Sequence, residues 1–294
     1  METRDIEYVL AVSTHGGIGR AAEALDMSQP ALTKAVQRVE AQLGVPLFER
    51  TALGMRVTQA GAVFLDRARR IRLEYEDAIK EMRGIQTGEQ GVLRLGYSPS
   101  MPNALVLGAC RQLIRERPVA RLRLTMRMAR ELMDLLEAGE LDLAVAPLPR
   151  QVNPALASRE LFTDRPAVVA DENHPLQRQH NLTLEDLVGQ QWLLPSAHLP
   201  IRQQIDAAFA DLGLPRPILR VETDFGNTSL FELVRGTEML SIAGSTGDSA
   251  GLRPIALQTD ALDLGRCVGV MSRAGAYLSP LAQRMIDILE AHME

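Results

Sequence analysis

Cysteine is scarce in this chain of 294 residues, where Cys110 and Cys267 stand alone. Two thiols make no disulfide framework, and such usage fits a reducing cytoplasm better than a secreted scaffold. Long apolar runs are missing as well, and nothing approaches the roughly 18 residues that a membrane-spanning helix needs. The opening Met1-Glu2-Thr3-Arg4-Asp5 is too polar and acidic for a signal peptide. A basic excess is also lacking: 32 Lys+Arg stand against 37 Asp+Glu, a net charge of −5 at pH 7. That balance argues against a protein that coats nucleic acid without regard to sequence. Residues 1–90 hold 12 basic and 13 acidic side chains, so any basic surface has to be arranged locally. The five histidines, His15, His174, His180, His198 and His292, show no metal-ligand spacing with one another or with the cysteines. No nucleophile elbow is present either, since Gly96-Tyr97-Ser98-Pro99-Ser100 has no closing glycine. Neither a metal, a cofactor nor an enzyme is expected.

What is there reads as an ordinary soluble globular protein, 46% hydrophobic and 23% charged, long enough for two or three domains. The stretch from Ser28 to Glu40 organises the N-terminal part. Ser28 is a good helix N-cap, and Pro30 falls in the first turn, where its missing N–H costs nothing. Leu32, Val36, Val39 and Leu43 make one apolar stripe. Gln29, Thr33 and Gln37 sit one turn apart on another face, with Lys34 and Arg38 beside them. A helix of this kind can bury one side while the other meets base edges and phosphates. Taken alone, the same pattern also fits a plain amphipathic surface helix.

The flanking residues bear on that choice. Ile6, Val9 and Leu10 predict a first helix ending near His15-Gly16-Gly17, and a second helix follows from Ile18 to Leu25. Asp26 and Met27 turn the chain into the Ser28 cap, which makes a helix-turn-helix pattern. A dinucleotide fingerprint competes here: Gly17-Ile18-Gly19-Arg20-Ala21-Ala22 fits G-x-G-x-x-A, with Glu40 about 20 residues on. That motif needs its acidic residue at the end of a second strand, whereas Glu40 closes a helical pattern. Pro46–Arg50 and Met55–Thr58, around Gly54, predict a β-hairpin, a wing that would carry Arg50 and Arg56 toward phosphates. From Gln59 to Gln86 one long helix is expected. Its residues Phe64, Ala68, Ile71, Tyr75, Ala78, Met82 and Ile85 alternate spacings of four and three, a heptad seam that calls for a partner helix from a second copy.

Residues 8–50 resemble the DNA-binding segment of LysR-type transcriptional regulators. The resemblance rests on Gly16, Ala21-Ala22, Leu25, Ser28-Gln29-Pro30-Ala31-Leu32-Thr33, Val39-Glu40, Leu43-Gly44, Leu47-Phe48 and Arg50, with Thr58 and Gly61 at the start of the long helix. Gly17 stands where that family usually has serine, and Leu53 where its wing often has arginine. The resemblance implies a winged helix-turn-helix over residues 1–58 and a linker and dimerisation helix over 59–88. It further implies a two-lobed α/β effector domain over 91–294, similar to periplasmic binding proteins. Lobe I would take about 91–160 and 266–294, and lobe II about 161–262. The implied partners are double-stranded promoter DNA, a small-molecule effector, RNA polymerase and further copies of the chain, as homodimer or homotetramer. No membrane is implied.

The pattern past residue 91 fits, with strands and helices alternating as in a parallel sheet. Strands are expected at Val92–Tyr97, Leu122–Met126, Leu141–Val145, Ala167–Ala170, Trp192–Leu194, Leu219–Glu222, Met239–Ala243 and Cys267–Met271. In such folds a ligand lies beyond the carboxyl ends of the strands. By that rule lobe I offers Ser98, Pro99 and Ser100, then Met128, Ala129 and Pro147. Lobe II offers Ser196 and His198, then Gly226 and Asn227. Hydroxyls and free helix amides on a wall without Asp or Glu favour a small organic acid. Arg127, Arg130 and Arg202 are read as surface arginines. The alternative from another class is a small-molecule binding protein whose N-terminal segment only dimerises.

Overall fold

The structure, a computed structural model, describes residues 1–51, 54–87, 91–224, 228–244, 251–258 and 262–293. Two compact units result, Met1–Gln86 and Thr87–Glu294.

In the first unit, α1 (Thr3–His15) ends on Gly16 with φ 63°, α2 (Ile18–Ala24) follows, and α3 (Gln29–Leu43) closes on Gly44 at φ 72°. Both glycines are left-handed, as a helix C-terminus asks. Asp26 takes φ 52° in the turn between α2 and α3, a conformation that short polar side chains tolerate. The Ser28 hydroxyl accepts from the Ala31 amide at 3.4 Å, so the predicted cap is in place. Leu32, Val36 and Val39 are buried with Val9, Val12, Ala21 and Leu47. Each of the leucine and valine side chains contributes roughly 1.5–3 kcal/mol. Leu43, expected to continue the stripe, is 37% exposed, because α3 has by then passed the edge of the core.

The wing is an antiparallel pair, β1 (Phe48–Thr51) and β2 (Gly54–Val57), with Phe48 opposite Val57. Glu40 sets its entry: the carboxylate accepts from the Leu47 amide at 2.7 Å and the Phe48 amide at 3.1 Å. Then α4 (Gln59–Thr87) begins beside Thr58, whose hydroxyl donates to the Pro46 carbonyl at 2.7 Å and accepts from the Gly61 amide at 2.9 Å. The heptad seam divides here. Ala68 is buried and Phe64 half-buried against the unit's own core, because Leu65 and Ala68 of α4 close it from one side. Ile71 (49%), Tyr75 (53%) and Met82 (56%) are exposed, as is Ala78. The side chain of Ile85 and the wing residue Leu53 lie outside the described residues.

The second unit holds two five-stranded sheets. The first is built by β3 (Val92–Tyr97), β4 (Arg121–Met126), β5 (Leu143–Pro147), β6 (Leu156–Asp164) and β12 (Arg266–Arg273), ordered β4-β3-β5-β12-β6. Helices α5 (Asn103–Glu116), α6 (Ala129–Glu137) and α8 (Pro280–Ala291) belong to this lobe. The second sheet has β7 (Ala167–Ala170), β8 (Gln191–Pro195), β9 (Ile218–Thr223), β10 (Met239–Ala243) and β11 (Arg253–Pro254), ordered β11-β7-β10-β8-β9, with α7 (Pro200–Asp211) after β8. The expected all-parallel arrangement is corrected to two mixed sheets. While β3, β4 and β5 run parallel, β12 is antiparallel to both β5 and β6. β5 and β6 therefore run in the same direction on either side of β12, and the returning strand β12 alone makes the first sheet mixed. Because β6 stays in the first sheet to Asp164, lobe I reaches past the expected 160.

Leu93, Leu95, Val106, Leu113, Met285 and Ile288 fill the first lobe on its α5–α8 side. Trp192, Leu194, Ile205 and Phe209 fill the second. Cys110 is buried in the first core and Cys267 is half-buried on β12. Burial pushes the Cys110 thiol up to about 11. Burial, then a hydrogen bond with Glu160, does the same for Cys267. Both sulfurs stay protonated near neutral pH, which makes them poor nucleophiles. Among the described residues no helix is long and apolar enough to cross a membrane, and no group of three His, Cys, Asp or Glu could hold a metal ion.

Candidate functional site

Two surfaces carry uncommitted chemistry, one in each unit. In the first, α3 presents Ser28, Gln29, Pro30, Lys34, Gln37 and Arg38 to solvent, with Thr33 half-buried. The placement follows from the stripe, since burying Leu32, Val36 and Val39 turns the opposite face outward. Two of these residues, and Arg56 of the wing, are less free than their spacing implies. Thr33 donates its hydroxyl proton to the Gln29 carbonyl at 2.8 Å, so toward a base edge it offers lone pairs. Arg38 pairs with Asp5 of α1, which is only 2% exposed and also accepts from the Glu2 amide at 2.8 Å. Arg56 is held by Glu49, its register partner across the wing, at 2.6 Å. Among the described residues the side chains of Gln29, Lys34, Gln37 and Arg50 make no hydrogen bond or ion pair. Spacing alone missed Asp5, whose signal is a lone carboxylate on the buried face of α1.

Burial alone would push the Asp5 carboxyl up, but the Glu2 amide and the Arg38 guanidinium outweigh it and hold it below the ordinary 3.8. A depressed carboxyl stabilises the fold above its unfolded value and loses that contribution as pH falls through the folded one. The N-terminal unit should therefore lose melting temperature below pH 3.8, and Asp5→Asn should remove that part of the dependence while lowering the neutral-pH value. Calorimetric melting of both proteins across an acid series checks this. Parallel curves for the two would dissociate Asp5 from acid stability.

The second surface is the set of loops at the carboxyl ends of the two sheets. After β3, Ser98 is 2% exposed. Its hydroxyl lies 3.0 Å from that of Ser100, and its amide donates to the Val145 carbonyl at 2.9 Å, which pins the loop to β5. Pro99 stands between the two serines, and Pro147 ends β5, half-buried. Arg266 of β12 donates to the Ser100 carbonyl at 3.5 Å and pairs with Asp164 at 2.7 Å. At the start of α6, the Met128 amide is taken by Glu131 at 3.2 Å, and Ala129 is half-buried.

After β8, Ser196 donates its hydroxyl to Asp224 at 2.7 Å, while His198 is exposed. Gly226 and Asn227 lie outside the described residues. The expectation of walls without carboxylates is therefore corrected. Asp224, Glu131 and Asp164 stand beside the candidate residues, and Ser196 has spent its proton on one of them. Spacing could not reveal Asp224, because it meets Ser196 only once β8 and β9 lie side by side. Arg202, read as a surface residue, is buried instead. It pairs with Asp206 at 2.9 Å and donates to the Pro195 carbonyl at 3.2 Å, tying α7 to the end of β8.

Comparison with known proteins bears on both surfaces. A family model described as "Bacterial regulatory helix-turn-helix protein, lysR family" matches residues 3–62, and one described as "LysR substrate binding domain" matches residues 86–294. The HTH-type transcriptional regulator YybE of Bacillus subtilis (strain 168) is 26% identical, over 99% of both chains. Full-length CbnR in complex with its target DNA is similar in fold, with a TM-score of 0.60 at 22% identity, covering 99% of each chain. The effector-binding domain of QuiR in complex with shikimate matches 69% of this chain and 97% of its own, with a TM-score of 0.58 at 19% identity.

Proposed function

We propose, from the premise that this chain belongs to the LysR family of transcriptional regulators, that α3 reads promoter DNA and that the carboxyl-end loops of the second unit bind a small carboxylate. The family is one of regulators rather than enzymes. The observation that carries the DNA reading is the outer face of α3, where Gln29, Lys34 and Gln37 are exposed and uncommitted. Glutamine can bond two atoms of an adenine edge, and lysine supplies a point charge for a phosphate. Arg38 is assigned a different part: held by Asp5, it fixes α3 on α1 and presents its remaining N–H groups to the backbone of the duplex. Arg50 and Arg56 flank the duplex from the wing.

Two copies joined along the exposed Ile71, Tyr75, Ala78 and Met82 would carry two α3 helices to successive half-sites of one duplex. Effector-domain contacts would raise the dimer to a tetramer, and RNA polymerase is the machine such an assembly would act on in the cytoplasm. For the effector, Ser98 and Ser100 supply hydroxyls before α5, and Asp224 supplies an acceptor on the other lobe. That combination suits a hydroxylated carboxylate better than a plain one, in keeping with the shikimate held by the QuiR domain. A ligand that touches both lobes changes their relative angle by its differential affinity, and a few kcal/mol suffices.

Footprinting on the DNA flanking the gene, followed by gel shifts, tests the first half. Gln29→Ala should cost about 1–3 kcal/mol of discrimination at one base pair, whereas Lys34→Ala should weaken all sites alike and reduce the salt slope by about one. Unchanged binding in both variants would remove α3 as the reading element.

A further inference from the structure

The second lobe has a cavity of about 360 Å³ at the amino ends of its strands, opposite to the end that carries Ser196 and Asp224. Gln191 opens β8 and Met239 opens β10, and the two are register partners in the parallel pair. Arg220 enters from β9 at the point where its register with β8 slips between Trp192 and Leu193, so it stands opposite no β8 residue. Thr237 and Glu238 close the rim. Met239, 8% exposed, and Gly189 are its apolar lining residues, and the other side chains that line it are polar.

What sets this cavity apart is the state of its polar groups. Among the described residues the side chains of Gln190, Gln191, Arg220 and Glu238 make no hydrogen bond and no ion pair, although a cation and a carboxylate line the same space. The backbone around them is fixed. Thr237 donates its hydroxyl to the Val234 carbonyl at 2.7 Å and accepts from the Met239 amide at 3.2 Å. The buried His174 ring accepts from the Leu176 amide at 3.1 Å, which leaves its other nitrogen to donate to the Glu238 carbonyl at 3.2 Å. Free opposite charges that line one cavity without meeting leave room for a molecule that carries both complements.

We propose that this cavity is a second ligand site, distinct from the cleft between the lobes, and that it takes a zwitterion of amino-acid size. A carboxylate would sit on the planar fork of Arg220, which can hold both its oxygens. An ammonium group would sit on Glu238. The two glutamine amides offer donors and acceptors to a polar side chain, and the volume lies near the lower end of the range for small-ligand pockets. The cleft effector would not compete with it, because the two sites lie at opposite ends of the same sheet.

The test is calorimetric titration of the full chain with a panel of α-amino acids, beside succinate and putrescine, which carry one sign of charge only. At least one amino acid should bind more tightly than either control. Arg220→Ala and Glu238→Gln, both at exposed positions, should each weaken that binding by about tenfold or more, while Ser100→Ala in the cleft loop leaves it unchanged. The proposal is overturned if no amino acid binds, or if binding survives both substitutions. It also fails if binding is lost in Ser100→Ala alone, which would place it in the cleft, or if succinate binds as well as any amino acid. A change in sedimentation in the two variants without ligand would equally overturn it, by showing that a second copy fills the space.

Discussion

Gly61→Ala is expected to lower the melting temperature of the N-terminal unit by about 8–16 °C, a net loss of about 2 kcal/mol. Two effects oppose each other at this position. Alanine favours a helix over glycine by about 1 kcal/mol, so an unobstructed site would gain stability. A Cβ at Gly61, however, would lie 2.1 Å from the Leu47 carbonyl oxygen and 2.9 Å from its carbonyl carbon, with Val57 at 3.0 Å. The obstacle is backbone, and that backbone is held by the Glu40 carboxylate from one side and by the Thr58 amide, at 3.0 Å, from the other. It cannot rotate away as a side-chain tip would. Relief requires α4 to lift off the wing, which opens the contact of Leu65 and Ala68 with the core and costs about 3 kcal/mol. Differential scanning calorimetry decides between the two effects. A variant that melts at or above the parent would mean that α4 does not rest on the Leu47 carbonyl.

Ile71→Lys should separate the copies with little effect on the fold of one chain. Ile71 is 49% exposed within a single chain, so a lysine there meets water and costs little. Against a partner helix the same lysine would bury a charge, with its counterpart from the other copy close by, at several kcal/mol. The dissociation constant should rise about a thousandfold or more, since every 1.4 kcal/mol is a factor of ten. Sedimentation equilibrium reports the assembly and far-UV circular dichroism reports the fold. Loss of assembly with intact helicity is the expected pair of results. DNA affinity should fall with it, because a monomer engages one half-site only. An unchanged sedimentation profile would mean that Ile71 faces solvent in the assembly too.

The first unit was legible because its elements are local. Caps at Ser28, left-handed turns at Gly16 and Gly44, and the spacing of Leu32, Val36 and Val39 act within a few residues of themselves. What escaped depends on contacts between distant segments. The heptad count places Phe64 and Ala68 with Ile71, yet periodicity cannot say whether a face is buried by its own domain or by a partner. Arg38 and Asp5 are 33 residues apart, so no spacing rule links them. The strand β6 went unread because Leu156-Ala-Ser-Arg-Glu-Leu-Phe-Thr-Asp lies on the edge of its sheet and is mostly exposed, without a clean alternation. The strands β7 and β12 were read, but their antiparallel direction shows only in their pairing with β10 and with β5 and β6. In the candidate cleft, the serines were found by position at strand ends, whereas Asp224 and Asp164 entered only through pairing of β9 with β8 and of β6 with β12.

That last pairing has a mechanical result. The chain leaves the first sheet at the end of β6 and returns at the start of β12, and these two strands are laddered together up to their final pair, Asp164 opposite Arg266. An ion pair closes the ladder there. Two separate tethers at different heights would let the lobes slide past one another as well as tilt. Two tethers stitched together to the same level act as the two leaves of one door hinge, which favours rotation about one axis over sliding. Whatever tilts the second lobe then moves its far rim through an arc proportional to its distance from that axis.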